Sequence, residues 1–226
     1  LPKIGSTAAR RFAKTESRRW SKPSIVAICT NTKAVLPSHE ISRPAISGAV
    51  HQSIDLTLLA HPLQVPRARE RVDRTADAVL FYQSLIGDVP YSSFTLALVE
   101  HVLPGGHSPA HFATLNQPLP NVDPVWRVDP VTFPAYPDFF LAHEVAHQWW
   151  GQAVGWQNYH EQWLSEGIAH YFAALYAEYD RGPVVFGDLL RQMRSWAMDQ
   201  SDQGPVSLGY RLGHVRSDTR IFRALV

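Results

Sequence analysis

The sequence predicts an α+β fold: a small β-sheet first, then a series of helices. Three observations predict it. Residues 24–60 and 91–103 hold short β-branched or alternating runs broken by proline and glycine. Between them, a long amphipathic pattern opens at Pro66 and closes at Gly87. From Phe139 onward, apolar residues recur at helical spacing in FFLAHEVAHQWWG, WLSEGIAHYF and PVVFGDLLRQMRSWA.

The early elements read as follows. SIVAIC, residues 24–29, is a β-branched run, and SIDLTLLA sets Ile54, Leu56 and Leu58 against Asp55, Thr57 and Leu59, as a half-buried strand does. Pro37, Pro44 and Gly48 interrupt the stretch between them. Val72, Ala76, Val79, Leu80 and Ile86 mark the inner face of the first helix. Arg67, Arg69, Arg71 and Arg74, with Glu70 and Asp73, fall on what reads as its solvated face. YSSFTLALVEHVL, residues 91–103, is the next strand.

The later elements follow. The proline-rich stretch 116–137 reads as an ordered loop, because Val122, Val125, Trp126, Val128, Val131 and Phe133 punctuate it. Asp138 is a good N-cap for the helix after it, and Gly151 a good stop. Trp149, Trp150, Trp156, Tyr159 and Trp163 are expected to pack that helix against the next, which runs from about Ser165 to Tyr179. Gly182-Pro183 separates a last helix, whose Phe186, Leu189, Leu190, Met193, Trp196 and Ala197 read as a core stripe. Another helix is expected to start at Ser217.

Composition narrows the function classes. With 226 residues, 45% hydrophobic and 18% charged, the chain can bury one sizeable core and part of a second domain. A net charge of +1 provides no global field for nucleic acid, and no nucleic-acid partner is expected. Residues 1–23 hold seven basic side chains (Lys3, Arg10, Arg11, Lys14, Arg18, Arg19, Lys22) against Glu16. Such an arm can touch nucleic acid or anionic lipid, but it reads first as a solvated, partly disordered leader. Cys29, the sole cysteine, permits no internal disulfide and sits among apolar residues. No apolar run approaches the roughly 18 residues of a membrane span. Leu1 at one end and the apolar IFRALV at the other suggest a piece of a longer protein.

The chemistry-bearing motif is HEVAH, residues 143–147. Residues four apart on a helix share a face, so His143 and His147 can offer two imidazole nitrogens to one metal ion. Glu144 stands at the edge of that face, where a metal-activated water needs a carboxylate. After His147, eighteen residues intervene before Glu166, in WLSEGIAHY. A catalytic zinc takes three protein ligands and keeps a fourth position open, and a carboxylate from a second helix would complete that set.

These words, HEVAHQWWG and WLSEGIAHYF, resemble the M1 family of zinc aminopeptidases, which belong to the thermolysin-like gluzincins. The likeness is specific from Phe140 to Tyr171 and extends loosely from Ser53 to Val226. It implies one zinc ion on His143, His147 and Glu166, Glu144 as catalytic base, and a peptide substrate. It also implies a thermolysin-like catalytic domain over residues 53–226, truncated at its carboxyl end. Residues 1–52 would be the basic arm and the remnant of an amino-terminal β region. In the family, a Gly-x-Met-Glu-Asn motif follows the cleft strand, and its Glu pairs with the substrate's free amino terminus. Here Gly105 and Gly106 align with its opening, but His107, Ser108 and Pro109 follow. The charge-assisted partner of an ammonium group is missing. Gly105, Gly106 and His107 are candidate substrate contacts, as is His111; the two histidines also fit as plain loop residues.

Two further residues remain open between roles. Glu161 matches an acidic position in many relatives and is either a partner behind a ligand histidine or a surface carboxylate. His170 stands one turn after Glu166, where thermolysin-like enzymes often have Asp; it either supports a ligand or simply packs. The family's oxyanion-stabilising tyrosine lies farther downstream, and Tyr210, Arg211 and His214 are not at its spacing. Losing such a donor costs about 100- to 1000-fold in turnover, so this chain is expected to bind zinc but be weak or inactive as an aminopeptidase. The alternatives are an endopeptidase or other hydrolase without free-amine recognition, or a non-catalytic zinc-binding module. A purely structural zinc site, however, is closed by four protein ligands.

Overall fold

The computed structural model describes residues 30–34, 54–61, 64–103, 105–118, 121–123 and 132–208. The expectations for the basic arm, for SIVAIC with Cys29, for residues 119–120 and 124–131 of the proline-rich loop and for a helix at Ser217 lie outside these residues.

Alternation builds the sheet. In β2 (Ile54–Leu59) the residues Ile54, Leu56 and Leu58 are buried and Asp55 is exposed. In β3 (Ser93–Glu100) Phe94, Leu96 and Leu98 are buried. These strands, with β1 (Thr30–Ala34), β4 (Gly106–His107) and β5 (Phe112–Gln117), make a five-stranded mixed sheet in the order β1-β2-β3-β5-β4. β2, β3 and β5 run parallel, and β1 and β4 flank them antiparallel. β4 pairs by only two residues, Gly106 with Leu115 and His107 with Thr114.

Among the described residues there are four α-helices. Helix α1 (Val65–Ile86) supplies the crossover between the parallel strands β2 and β3, has Pro66 in its first turn, and ends at Gly87 in the left-handed conformation. Helix α2 (Phe139–Ala146) carries HEVAH, α3 (Gln162–Arg181) carries Glu166, and α4 (Pro183–Asp199) follows α3 after Gly182. The result is α+β, a small mixed sheet followed by helices, as the sequence predicts.

Three expectations are corrected. Asp138 stands at the N-cap of α2, but its side chain caps nothing. It pairs instead with Arg71 and Arg74 of α1, the latter at 3.1 Å from Nε. Those two arginines are therefore not a solvated face. Arg74 also grips Asp180, near the end of α3, through two parallel bonds of 2.8 Å, a bidentate fork. Second, α2 stops at Ala146, short of Gly151; His147 is its C-cap with φ −60° and ψ −20°. The His147 N–H still bonds to the His143 carbonyl at 3.2 Å, so the one-turn relation of the two histidines survives. Third, the stripe on α4 is only partly core. Leu189 is its one buried residue, and Ala197 is exposed.

Candidate metal centre

Helix α2 is held on both sides. Tyr82 of α1, wholly buried, donates its hydroxyl to the Ala142 carbonyl at 2.9 Å. Trp149 packs edge-on against Tyr82 and donates to the Asp88 carbonyl at 3.0 Å, while Trp150 leans on Phe172 of α3. Trp149 and Trp150, of the aromatics clustered around the motif, thus tie its segment to α1 and α3. The other side of α2 faces the loop after β4. Gln148 donates to the carbonyls of Pro109 and Phe112 and accepts from the His111 N–H, and Gln152 donates to the Ser108 carbonyl.

Within this frame His143, Glu144 and His147 are all buried. Three donor atoms converge there. His143 Nε2 and His147 Nε2 are 3.0 Å apart, and Glu166 Oε2 lies 3.3 Å from the first and 3.4 Å from the second. Donors bound tetrahedrally at about 2.0–2.1 Å from a zinc ion are roughly 3.3 Å from one another. The triangle therefore has the dimensions of one face of such a site. His147 Nδ1 meets the Trp150 carbonyl at 2.9 Å. A carbonyl only accepts, so Nδ1 keeps its proton, and Nε2 is the nitrogen left to ligate once it gives up its own.

A second set, His143, Glu166 and His170, also brings ligand atoms within 4.8 Å of one another. His170, however, commits Nδ1 to the Glu166 carbonyl at 2.9 Å. Its ring packs on His143 at 4.4 Å and Phe139 at 5.5 Å. The tighter triangle includes His147.

Electrostatics follow from burial and pairing. Burial pushes Glu144 up to about 7, against the opposing pulls of His147 and the Ser108 hydroxyl. Burial lowers His143, and Glu166 only partly offsets it. His147 moves the other way, to about 9: burial lowers it, but the bond and charge of Glu166 and the charge of Glu144 prevail. Glu166 sits well below the usual carboxylate range, because bonds from both histidines outweigh its burial. Burial, with His143 beside it, drops His170 to about 3, so it is neutral at ordinary pH.

The remaining predicted residues fall as follows. Glu161 accepts from the Gln157 N–H and closes its own turn. Gly106 lies against Glu144: a Cβ there would come within 2.5 Å of Oε1 and 2.6 Å of the Thr114 carbonyl oxygen. Gly105 has φ +154° and bonds its carbonyl to the Asn116 N–H. His107 is exposed in β4, close enough for its charge to bear on Glu144. His111 has φ 64° and its ring lies tilted against Tyr91, the centroids 4.1 Å apart. Sequence reasoning missed Ser108, which donates to Glu144 Oε2 at 2.5 Å. A serine after two glycines carries no motif signal; only the antiparallel return of β4 brings it over α2.

Two imidazoles and a carboxylate on adjacent helices, beside a buried glutamate near neutrality, define a site suited to metal-assisted hydrolysis. Residues 139–214, about a third of the chain, match the model of the peptidase family M1 domain, in agreement with the resemblance of HEVAHQWWG and WLSEGIAHYF. The matched stretch contains α2, α3 and α4 but not the sheet or the Gly105–Pro109 loop, where the sequence departs from the family motif. No curated protein matches the chain. Among the described residues, no helix is long and apolar enough to cross a membrane.

Proposed function

We propose that the chain is the thermolysin-like catalytic region of a zinc-dependent peptide hydrolase. M1-like aminopeptidase activity would belong to the full-length protein, with this chain weak or inactive alone. The observation that carries the reading is the triangle of His143 Nε2, His147 Nε2 and Glu166 Oε2, with sides of 3.0–3.4 Å. We read residues 53–226 as the catalytic domain and residues 1–52 as the arm and remnant before it, lending β1 to the catalytic sheet.

In this reading His143, His147 and Glu166 hold the zinc, which supplies Lewis acidity for water and for the scissile carbonyl. The chain's own residues do the rest. Glu144, pushed up to about 7, is matched to take a proton from the attacking water and return it to the leaving amine. Trp150 holds His147 in the ligating tautomer through its carbonyl. Gln148 and Gln152 fasten the β4 loop over the site, so a peptide laid there meets a fixed wall. Glu161 would keep no part in supporting a ligand histidine, since its carboxylate closes the turn at Gln157. His170 would support His143 by packing.

A second reading is favoured by the sequence and position of the β4 loop. The family's amine-binding Glu has no counterpart in Gly105–Pro109, and Ser108 turns its hydroxyl to Glu144 instead. A hydrolase indifferent to a free amino terminus fits that loop. Chelator competition on the purified chain should give one zinc per chain, lost in His143→Ala, His147→Ala and Glu166→Ala. Matched peptides with free and acetylated amino termini, offered to the full-length protein, then separate the two readings. A chain that takes up no zinc at micromolar concentration refutes both.

A further inference from the structure

Ser108 is buried to the same degree as the metal-site histidines, with 5% of its surface exposed. Its hydroxyl donates to Glu144 Oε2 at 2.5 Å. Its carbonyl is taken by Gln152 at 2.8 Å, and the next residue's carbonyl by Gln148 at 3.2 Å. The backbone at Ser108 is therefore fixed to the segment that carries Glu144, and the hydroxyl has little freedom to wander. Two residues earlier, Gly106 lies flat against the same carboxylate on its Oε1 side. That approach is possible only without a side chain. Glu144 is thus bounded at both oxygens: a donor from the loop after β4 at Oε2 and the bare backbone of Gly106 at Oε1.

We propose that Ser108 is a positioning residue for Glu144, holding the carboxylate by Oε2 in the setting from which it exchanges the proton in hydrolysis. The proposal rests on the peptidase reading above. It assigns a role to the position where the loop departs from the family motif: a side chain given over to the base and not to the substrate. A carboxylate tied at one oxygen has one rotational setting instead of a fan of them. Proton transfer needs its acceptor within hydrogen-bond reach of the water, and a displacement of about 1 Å can cost on the order of 100-fold in rate.

The test uses the full chain with Ser108→Ala, Ser108→Thr, Glu144→Gln and the double variant Ser108→Ala/Glu144→Gln. Circular dichroism and melting establish that each is folded. Infrared difference spectra, with Glu144→Gln as the subtraction standard, locate the Glu144 carboxyl band. The expected result is a band shift in Ser108→Ala that Ser108→Thr reverses, with zinc affinity within about threefold of wild type throughout. In the full-length protein, peptide turnover should fall on the order of 10- to 100-fold in Ser108→Ala with KM little changed, recover in Ser108→Thr, and fall no further in the double variant than in Glu144→Gln alone. An unmoved band, wild-type turnover in Ser108→Ala, or effects that multiply in the double variant would each overturn the assignment. Failure of wild type to bind zinc, or of the full-length protein to cleave peptide, defeats the peptidase reading instead. The two failures are distinguishable, because the infrared comparison needs neither metal nor turnover and decides the Ser108–Glu144 bond by itself.

Discussion

Gly106→Ala adds one methyl group at the most crowded point of the site. Its Cβ would lie 2.5 Å from Glu144 Oε1, 2.6 Å from Glu144 Cδ and 2.6 Å from the Thr114 carbonyl oxygen. Ordinary contacts are about 1 Å longer. Neither neighbour yields easily. Thr114 is backbone in β5, paired on both sides, and Glu144 is buried and tied to Ser108. Either β4 lifts or the carboxylate rotates, by about 1 Å. Overpacking of this kind costs about 1–3 kcal/mol, which for a chain of this size lowers Tm by roughly 2–4 °C per kcal/mol. If the carboxylate absorbs the move, peptide turnover falls on the order of 100-fold. Zinc affinity should hold, because the three converging donor atoms lie outside the clash. The assay is melting and chelator competition on the chain, and peptide turnover on the full-length protein. An alanine variant with wild-type melting and wild-type turnover would refute the steric account of β4 against Glu144.

Other outcomes are expected together. Gly167→Ala, next to Glu166 but with nothing within 4 Å of its Cβ position, should raise stability by up to about 1 kcal/mol in a denaturant titration. Arg74→Ala removes the fork between Asp138 and Asp180 and should cost about 2–3 kcal/mol, less than a fully buried pair because the groups keep 15–19% side-chain exposure. Its pH signature has a definite sign. Asp180 lies below its usual value, since the bond and charge of Arg74 outweigh burial. Its stabilising contribution is therefore present above about pH 4 and is lost as pH falls further. Arg74→Ala should flatten the acid limb of the stability curve, and an unchanged limb would contradict the fork. Finally, zinc binding near pH 7.5 should release about one proton, from His147 at about 9, as read by calorimetry in buffers of different ionisation enthalpy. Zero protons released would place the charge elsewhere.

The sequence disclosed what depends on local period. Ile54, Leu56 and Leu58 alternate, Pro66 and Gly87 bracket a helix, and His143 and His147 stand one turn apart; each is fixed by neighbours in the chain. Contacts between distant segments were hidden. Arg71 and Arg74 read as surface charge, because nothing near them shows that Asp138 and Asp180 arrive from 64 to 106 residues away. Asp138 had the right identity for a cap, but two guanidinium groups outbid a backbone N–H for its carboxylate. Ser108 was silent for the same reason. Its partner is 36 residues on, and a serine in a glycine-rich loop has many ordinary explanations. On α4, helical spacing was visible, but spacing says nothing about whether a neighbour covers the stripe.

Helix α3 carries Glu166 near one end and Asp180 near the other, fourteen residues or about 21 Å apart along the rod. Its far end is clamped by Arg74 and its near end points a carboxylate at two imidazoles. A rod clamped in this way is a lever: a tilt of about 3° at the clamp sweeps the far carboxylate through roughly 1 Å. Substitutions near Tyr136 or Asp180, remote from any reacting atom, should therefore register as weakened metal affinity before they register as unfolding.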